Sequence, residues 1–239
     1  MRHWNLPDTH NVRDLGGYKS RDGRQTQWRR ILRADNLYHL APASLHALSD
    51  AGLALVVDLR NDRELAAEPN PFAHHPGTTY LNVSLFEALA PIGSLGGTFD
   101  MADRYRTALD RCGSTLSTIL GRIADAPDGM VVFHCTAGTD RTGILAAMIL
   151  SLVGVDEQEI IADYALTAEA LPLLDRLRRR SLDAGVDPID VERVLASDAA
   201  TMASTLHYLN AIHGGAASYF DRHGFDAGQR QRLVNRLCS

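Results

Sequence analysis

Met130-Val131-Val132-Phe133-His134-Cys135-Thr136-Ala137-Gly138-Thr139-Asp140-Arg141-Thr142-Gly143-Ile144-Leu145-Ala146-Ala147-Met148-Ile149-Leu150 is the stretch that decides how this chain is read. Met130 to Phe133 is a continuous apolar run that reads as a strand buried on both faces of a parallel sheet, and Ile144 to Leu150 reads as a buried helix. The loop from His134 to Gly143 therefore joins the carboxyl end of a strand to a helix N-terminus. In open α/β sheets ligands bind at that edge, and a helix start offers unpaired N–H groups with roughly half a positive charge. An anion fits there.

Five residues separate Cys135 from Arg141. That spacing lets the backbone curl into a nest, with the amides of Thr136, Ala137, Gly138, Thr139, Asp140 and Arg141 pointing inward. The Arg141 guanidinium closes the far side with a planar fork that matches two phosphate oxygens. Gly138 allows the tight curl. A helix N-terminus ringed by donors favours a thiolate over a thiol, so Cys135 is expected to attack phosphorus in line. Phosphoryl transfer demands mainly positioning and charge stabilisation, and no metal or other cofactor is expected.

The resulting cysteinyl-phosphate must be hydrolysed, and the leaving alcohol needs a proton, so a carboxylate near the loop is required. Asp140 is the nearest. The Thr142 hydroxyl can donate to the sulfur and ease its departure, and His134 can orient the loop through its backbone. Taken alone, a Cys and an Arg at this spacing form a weak pattern, and a lone His134 reads equally well as a core residue. Requiring the histidine, Gly138, the Thr142-Gly143 ending, the strand and the helix together makes the pattern specific.

The string HCTAGTDRTG resembles the signature of the cysteine-dependent protein tyrosine phosphatases, and specifically the bacterial tyrosine phosphatase family whose loop reads HCxAGKDRTG. Asn11-Val12-Arg13-Asp14-Leu15-Gly16-Gly17-Tyr18 is similar to that family's N-x-R-D-L-G-G-Y segment, and Val56-Val57-Asp58-Leu59-Arg60 to its strand ending in D-L-R. Leu152-Val153-Gly154-Val155 agrees as well, and a weaker echo runs from Tyr219 to Leu237. The resemblance implies a phosphomonoester hydrolase acting on phosphotyrosine. A dual-specificity or phosphoinositide phosphatase is the alternative. It also implies that helices of the C-terminal third fold over the site as a lid; plain core packing is the competing reading of each such helix.

One departure bears on substrate. Where that family has lysine before the loop aspartate, this chain has Thr139, which weakens the case for polyphosphorylated lipids. Lys19 is the only lysine in the chain, so general avoidance of lysine accounts for the change equally well. Arginine from elsewhere can restore the charge.

Three carboxylates compete for the role of general acid. Asp140 sits in the loop, Asp58 ends an expected parallel strand on the same sheet edge, and Asp103 precedes the cysteine by the interval typical of dual-specificity phosphatases. Asp140 ranks first and Asp58 second. Each has a plainer use, as a partner of Arg141 or helix cap for Asp140, as a salt-bridged anchor of the loop for Asp58, and as a solvated helical position for Asp103.

Composition frames the site. With 239 residues, 45% hydrophobic and 22% charged, the chain suits one domain spanning 1–239. A formal charge of -5 without a basic arm argues against nucleic-acid binding. Arg176-Leu177-Arg178-Arg179-Arg180 is the one basic cluster, suited to a solvated helix face or to an acidic substrate or anionic headgroup. Cys112, Cys135 and Cys238 form neither a disulfide framework nor a metal-ligand set, and no signal or membrane-spanning segment is read, so the cytoplasm is expected.

Alternation along the chain predicts an α/β fold, a mostly parallel twisted sheet flanked by helices. Strands are expected at Trp28–Arg33, Leu53–Leu59, Thr79–Val83 and Met130–His134. Helices are expected at Ser44–Ala51, capped by the Ser44 hydroxyl, at Met101–Cys112 and Ser114–Ala126, after an Asp156–Glu159 capping box, and across Leu171–Leu182 and Val191–Ile212. Ala90 to Thr98 reads as a loop. Two other classes compete with the hydrolase: a rhodanese-type sulfurtransferase, which the Asp140-Arg141-Thr142-Gly143 ending opposes, and a non-catalytic phosphoresidue-binding module, which the intact Cys135 and Arg141 oppose.

Overall fold

The apolar runs become five strands: β1 (Arg13–Asp14), β2 (Ile31–Ala34), β3 (Leu53–Asp58), β4 (Thr79–Asn82) and β5 (Met130–His134). They form one sheet in the order β1-β2-β5-β3-β4, antiparallel between β1 and β2 and parallel elsewhere. This is seen in a computed structural model, which describes residues 2–86 and 100–238. The loop expected at Ala90 to Thr98 lies outside the described residues.

The central strand shows why its sequence does not alternate. Val131 and Phe133 of β5 enter a large core, while Met130 and Val132 enter a smaller one on the opposite face. Both faces are covered, so every position from Met130 to Phe133 is apolar. In β3, Leu55 and Val57 face the large core and Leu53 and Val56 the small one, with a register shift between Leu53 and Leu55 absorbing the extra residue.

The small core is closed by α1 (Pro42–Asp50) through Leu48 and the partly buried Leu45. A short helix α2 (Asp62–Ala67) follows β3. The large core is closed by α3 (Met101–Arg111), α4 (Gly113–Ala124), α5 (Asp140–Leu152) and α6 (Glu157–Ala165). After α7 (Leu171–Asp183) and α8 (Pro188–Leu195), three more helices complete it: α9 (Ala199–His213), α10 (Gly215–Arg222) and α11 (Ala227–Leu237). Helix α5 is buried from Thr142 through Leu150, as an all-round apolar helix must be.

Several expected boundaries move for identifiable reasons. The strand expected at Trp28–Arg33 starts only at Ile31, because Arg29 adopts a left-handed backbone with φ +62°. Ser44 does not cap α1. Pro42, with its φ already set, starts the helix after Ala41, and Ser44 lies buried inside it. Asp156 caps α6 by accepting from the Gln158 amide rather than that of Glu159, so the expected box is not formed. The span Val191–Ile212 is two helices, since Asp198 caps a new one through the Ala200 amide.

Candidate active site

The signature loop owes its shape to carbonyls held from outside. The Asn36 amide donates to Thr136 O (3.1 Å), Asn11 Nδ2 to Ala137 O (2.9 Å), Arg33 Nη2 to Gly138 O (2.6 Å) and the Gly143 amide to Thr139 O (2.7 Å). With these carbonyls engaged, the amides of Thr136 to Thr139 donate to no group among the described residues and are free for a ligand. Such a concavity binds anions. Gly138 is required by both angle and space: φ is +70°, and a Cβ there would lie 2.7 Å from Ala34 O.

Beneath the loop sits a buried ionic network. Asp163 of α6 accepts from Arg33 Nη1 (2.6 Å) and the Tyr18 hydroxyl (2.9 Å), and its backbone carbonyl accepts from Arg13 Nη2 (3.0 Å). Arg13 also donates to Asn11 Oδ1, which aims the Asn11 amide at the loop. Burial and the neighbouring Arg33 together pull Arg13 down to about 10. Burial pushes Asp163 up, but Arg33 and Arg13 outweigh it and keep the carboxyl below its ordinary value. The Asn11 to Tyr18 segment is thus the underside of the pocket.

Cys135 is buried at the base of the loop, preceded by a fully buried His134. His134 Nδ1 lies 3.1 Å from Cys135 O, and Nε2 lies 2.8 Å from Asn70 Nδ2 and 3.3 Å from Asp58 Oδ2. The Cys135 carbonyl can only accept, so Nδ1 carries the proton that it receives, and Nε2 faces the Asn70 and Asp58 side chains. Asp58 is fully buried and accepts from Arg60 Nε (2.9 Å) and Nη2 (2.7 Å), from Asn70 (2.9 Å) and from the Tyr80 hydroxyl (3.2 Å). Burial raises its pKa, but His134 and Arg60 reverse this and hold it well below the carboxylate range. A carboxylate so encased anchors the strand end.

Arg141 meets a residue that the sequence reading did not single out. Glu64 takes its Nη1 at 2.6 Å and Nη2 at 2.7 Å, a two-pronged pair, and also accepts from the Thr136 hydroxyl at 2.5 Å. The geometry is built by a capping box. Asn61 Oδ1 accepts from the Glu64 amide and Glu64 Oε2 accepts from the Asn61 amide, both at 3.0 Å, which bends the Glu64 side chain back to the start of α2. Burial pushes Glu64 up, but Arg141 and Thr136 bring it down to about 2. The Asn61-x-x-Glu64 spacing was a readable signal for the cap, though not for its distant partner.

Asp140 opens α5 and accepts from the Tyr105 hydroxyl at 2.6 Å; Tyr105 in turn lies 2.8 Å from the Tyr164 hydroxyl. Burial raises Asp140 above its ordinary value, opposed by Tyr105, Arg141 and Arg104. A carboxyl raised in this way can hold a proton for a leaving group. Asp103 instead pairs with Arg106 on the exposed side of α3. The Thr142 hydroxyl is fully buried and bonds to no group among the described residues, the Cys135 sulfur included. Thr139, at the position of the family's lysine, is also buried.

Of the C-terminal third, α7 borders the loop. Arg176, Leu177 and Arg180 of α7 line a cleft of about 250 Å³ that includes Thr136 of the loop. Helices α9, α10 and α11 are core elements, with Leu206, Phe220 and Leu233 fully buried. Among the described residues no group of three or more His, Cys, Asp or Glu side chains could hold a metal ion. None of the described helices is long and apolar enough to cross a membrane.

The chain is 30% identical over 219 residues to a tyrosine-protein phosphatase of Nostoc commune, covering 87% of this chain and 74% of the relative. It is 26% identical over 277 residues to the triple specificity protein phosphatase PtpB of Mycobacterium tuberculosis, covering 97% and 96%. Among solved structures it is similar to TpbA of P. aeruginosa at 18% identity and a TM-score of 0.37, over 73% of this chain and 91% of that one. The profile of the tyrosine phosphatase family matches residues 4–239, and the chain belongs to that family of phosphomonoester hydrolases.

Proposed function

We propose that this chain is a phosphotyrosine phosphatase that works through a cysteinyl-phosphate on Cys135. The observation that carries the reading is the loop itself: carbonyls of Thr136 to Thr139 hydrogen-bonded to the protein, amides left without a partner among the described residues, and Cys135 and Arg141 at its two ends. These amides and the guanidinium bind the equatorial phosphoryl oxygens, and their charge matches that of the transition state. The Cys135 thiolate forms the S–P bond as the P–O bond to the phenol breaks. Asp140 supplies the proton to that oxygen. In the second step Asp140, now ionised, takes a proton from the water that attacks phosphorus, and the thiolate leaves.

A phenol is a better leaving group than a serine alcohol, and the neutral, buried Thr139 adds no charge for further phosphates. Both support phosphotyrosine over phosphoinositides. Three free cysteines support action in a reducing compartment such as the cytoplasm.

Purified protein assayed with p-nitrophenyl phosphate and a chelator tests the mechanism. Cys135→Ser is expected to lose at least about three orders of magnitude in kcat, the scale seen when a nucleophile is removed. Asp140→Asn should lose about 10²- to 10⁴-fold on phosphotyrosine peptides and less on p-nitrophenyl phosphate, whose phenolate hardly needs a proton. Full turnover by Cys135→Ser would overturn the reading, and so would a requirement for metal.

A further inference from the structure

The basic cluster of α7 was not absorbed by the mechanism, and the structure separates its members. Arg178 pairs with Glu192 and Asp175, Arg179 donates to the Asp175 carbonyl, and Arg180 pairs with Glu68 at 2.7 Å. Arg176 is half-buried and has no hydrogen-bond or ion-pair partner among the described residues. It sits one turn from Arg180 on the wall of the cleft whose other side carries Thr136 and Asn36. The cleft therefore adjoins the phosphate loop, and one guanidinium in it is uncompensated.

Building on the phosphotyrosine reading above, we propose that Arg176 forms a second anion subsite for an aspartate or glutamate side chain flanking the phosphotyrosine of a peptide substrate. The charge count selects this class. Arg180 and Glu68 cancel, and Glu68 also holds Asn36, so the wall offers a single free positive charge beside an acidic neighbour. A monoanionic carboxylate balances that charge. A dianionic second phosphate would exceed it. Leu177 gives the same wall an apolar patch for the methylenes of the acidic side chain, and His39 borders it. The half-buried position matters too, since it lessens the solvent screening that erases fully exposed pairs.

The test uses phosphotyrosine peptides in matched pairs, with Glu or Gln at each position from three before to three after the phosphotyrosine. At one or two positions the wild-type kcat/KM should favour Glu about two- to fivefold, the size that partly exposed ion pairs reach. The ratio should fall toward one in Arg176→Gln, survive in part in Arg176→Lys, and shrink in the wild type as salt rises. A Glu preference that persists unchanged in Arg176→Gln, or no preference at any position, overturns the subsite. So does a larger preference for a soluble inositol bisphosphate over its monophosphate that Arg176→Gln abolishes, which would assign the cleft to phosphate. If no peptide is turned over, the catalytic reading has failed separately. The same Glu to Gln ratio is then read from equilibrium binding to the Cys135→Ser protein, and a ratio near one there also overturns the subsite.

Discussion

Two arginines touch the signature loop and do opposite work. Arg33, with its side chain 1% exposed, spends its guanidinium inside the protein, on Asp163 and on the Gly138 carbonyl. Arg141, 15% exposed, presents its guanidinium to the mouth and is held there by Glu64, itself 28% exposed. Below the loop, charge is enclosed and paired so that a shape is held. At the mouth, charge is partly solvated and paired by a group that a phosphoryl oxygen can rival. The contrast teaches that loop geometry and loop affinity are controlled from different segments, Asn11 to Arg33 for the first and Asn61 to Glu64 for the second.

The sharpest way to break this contrast is to remove the underside. Arg33→Met leaves Asp163 and the Gly138 carbonyl short of a buried donor, and should cost about 3–5 kcal/mol in urea unfolding. A loss below about 1 kcal/mol would mean that the enclosed network does not hold the loop. Gly138→Ala comes next. Its left-handed backbone and the Ala34 carbonyl in its way predict a cost of about 1–3 kcal/mol, with kcat/KM falling more steeply than stability.

At the mouth the order of effects should reverse. Glu64→Gln should change unfolding by about 1 kcal/mol or less, because the pair is partly solvated. Its kcat/KM should fall about ten- to a hundredfold as the fork loses its aim. The pH dependence follows from the direction of the shift. Glu64 is depressed from 4.5 to about 2, so its contribution is present above the ordinary value and is lost as pH falls through about 2. Acid unfolding curves of wild type and Glu64→Gln should therefore converge toward pH 2. Curves that stay parallel to that point would remove Glu64 from the pair.

The smallest effect belongs to Thr142. Its hydroxyl is buried and bonds to no described group, so Thr142→Val should alter stability by only about 0.5 kcal/mol, of either sign. A larger loss would reveal a partner for it. Slower decay of the phosphoenzyme in stopped-flow assays, with stability unchanged, would show that the hydroxyl serves the sulfur.

How much of this was legible in the chain follows from where the contacts come from. Cys135, Gly138 and Arg141 lie on one continuous strand, loop and helix, so the roles proposed for them are written in local spacing. Glu64 lies 77 residues from Arg141 and Asn11 lies 126 from Ala137, and nothing in local periodicity joins such segments. Tyr105 and Tyr164 looked like ordinary helical core residues because their rings do pack there; only the Tyr105 hydroxyl reaches Asp140, with the Tyr164 hydroxyl against it. Asp58 was legible as a strand-end carboxylate. Its enclosing donors, from Arg60, Asn70 and Tyr80, were not, and they make it an anchor of the strand end.

The capping box of α2 carries one more consequence. Because the same Glu64 carboxylate receives the Asn61 amide and both prongs of Arg141, the first turn of α2 and the guanidinium tighten or loosen as a unit. An oxyanion that draws Arg141 toward itself relaxes Glu64, and reciprocity requires that a frayed α2 in turn binds oxyanions with a different affinity. Amide exchange at the start of that helix thus becomes an occupancy gauge for the pocket, readable with plain phosphate and no turnover.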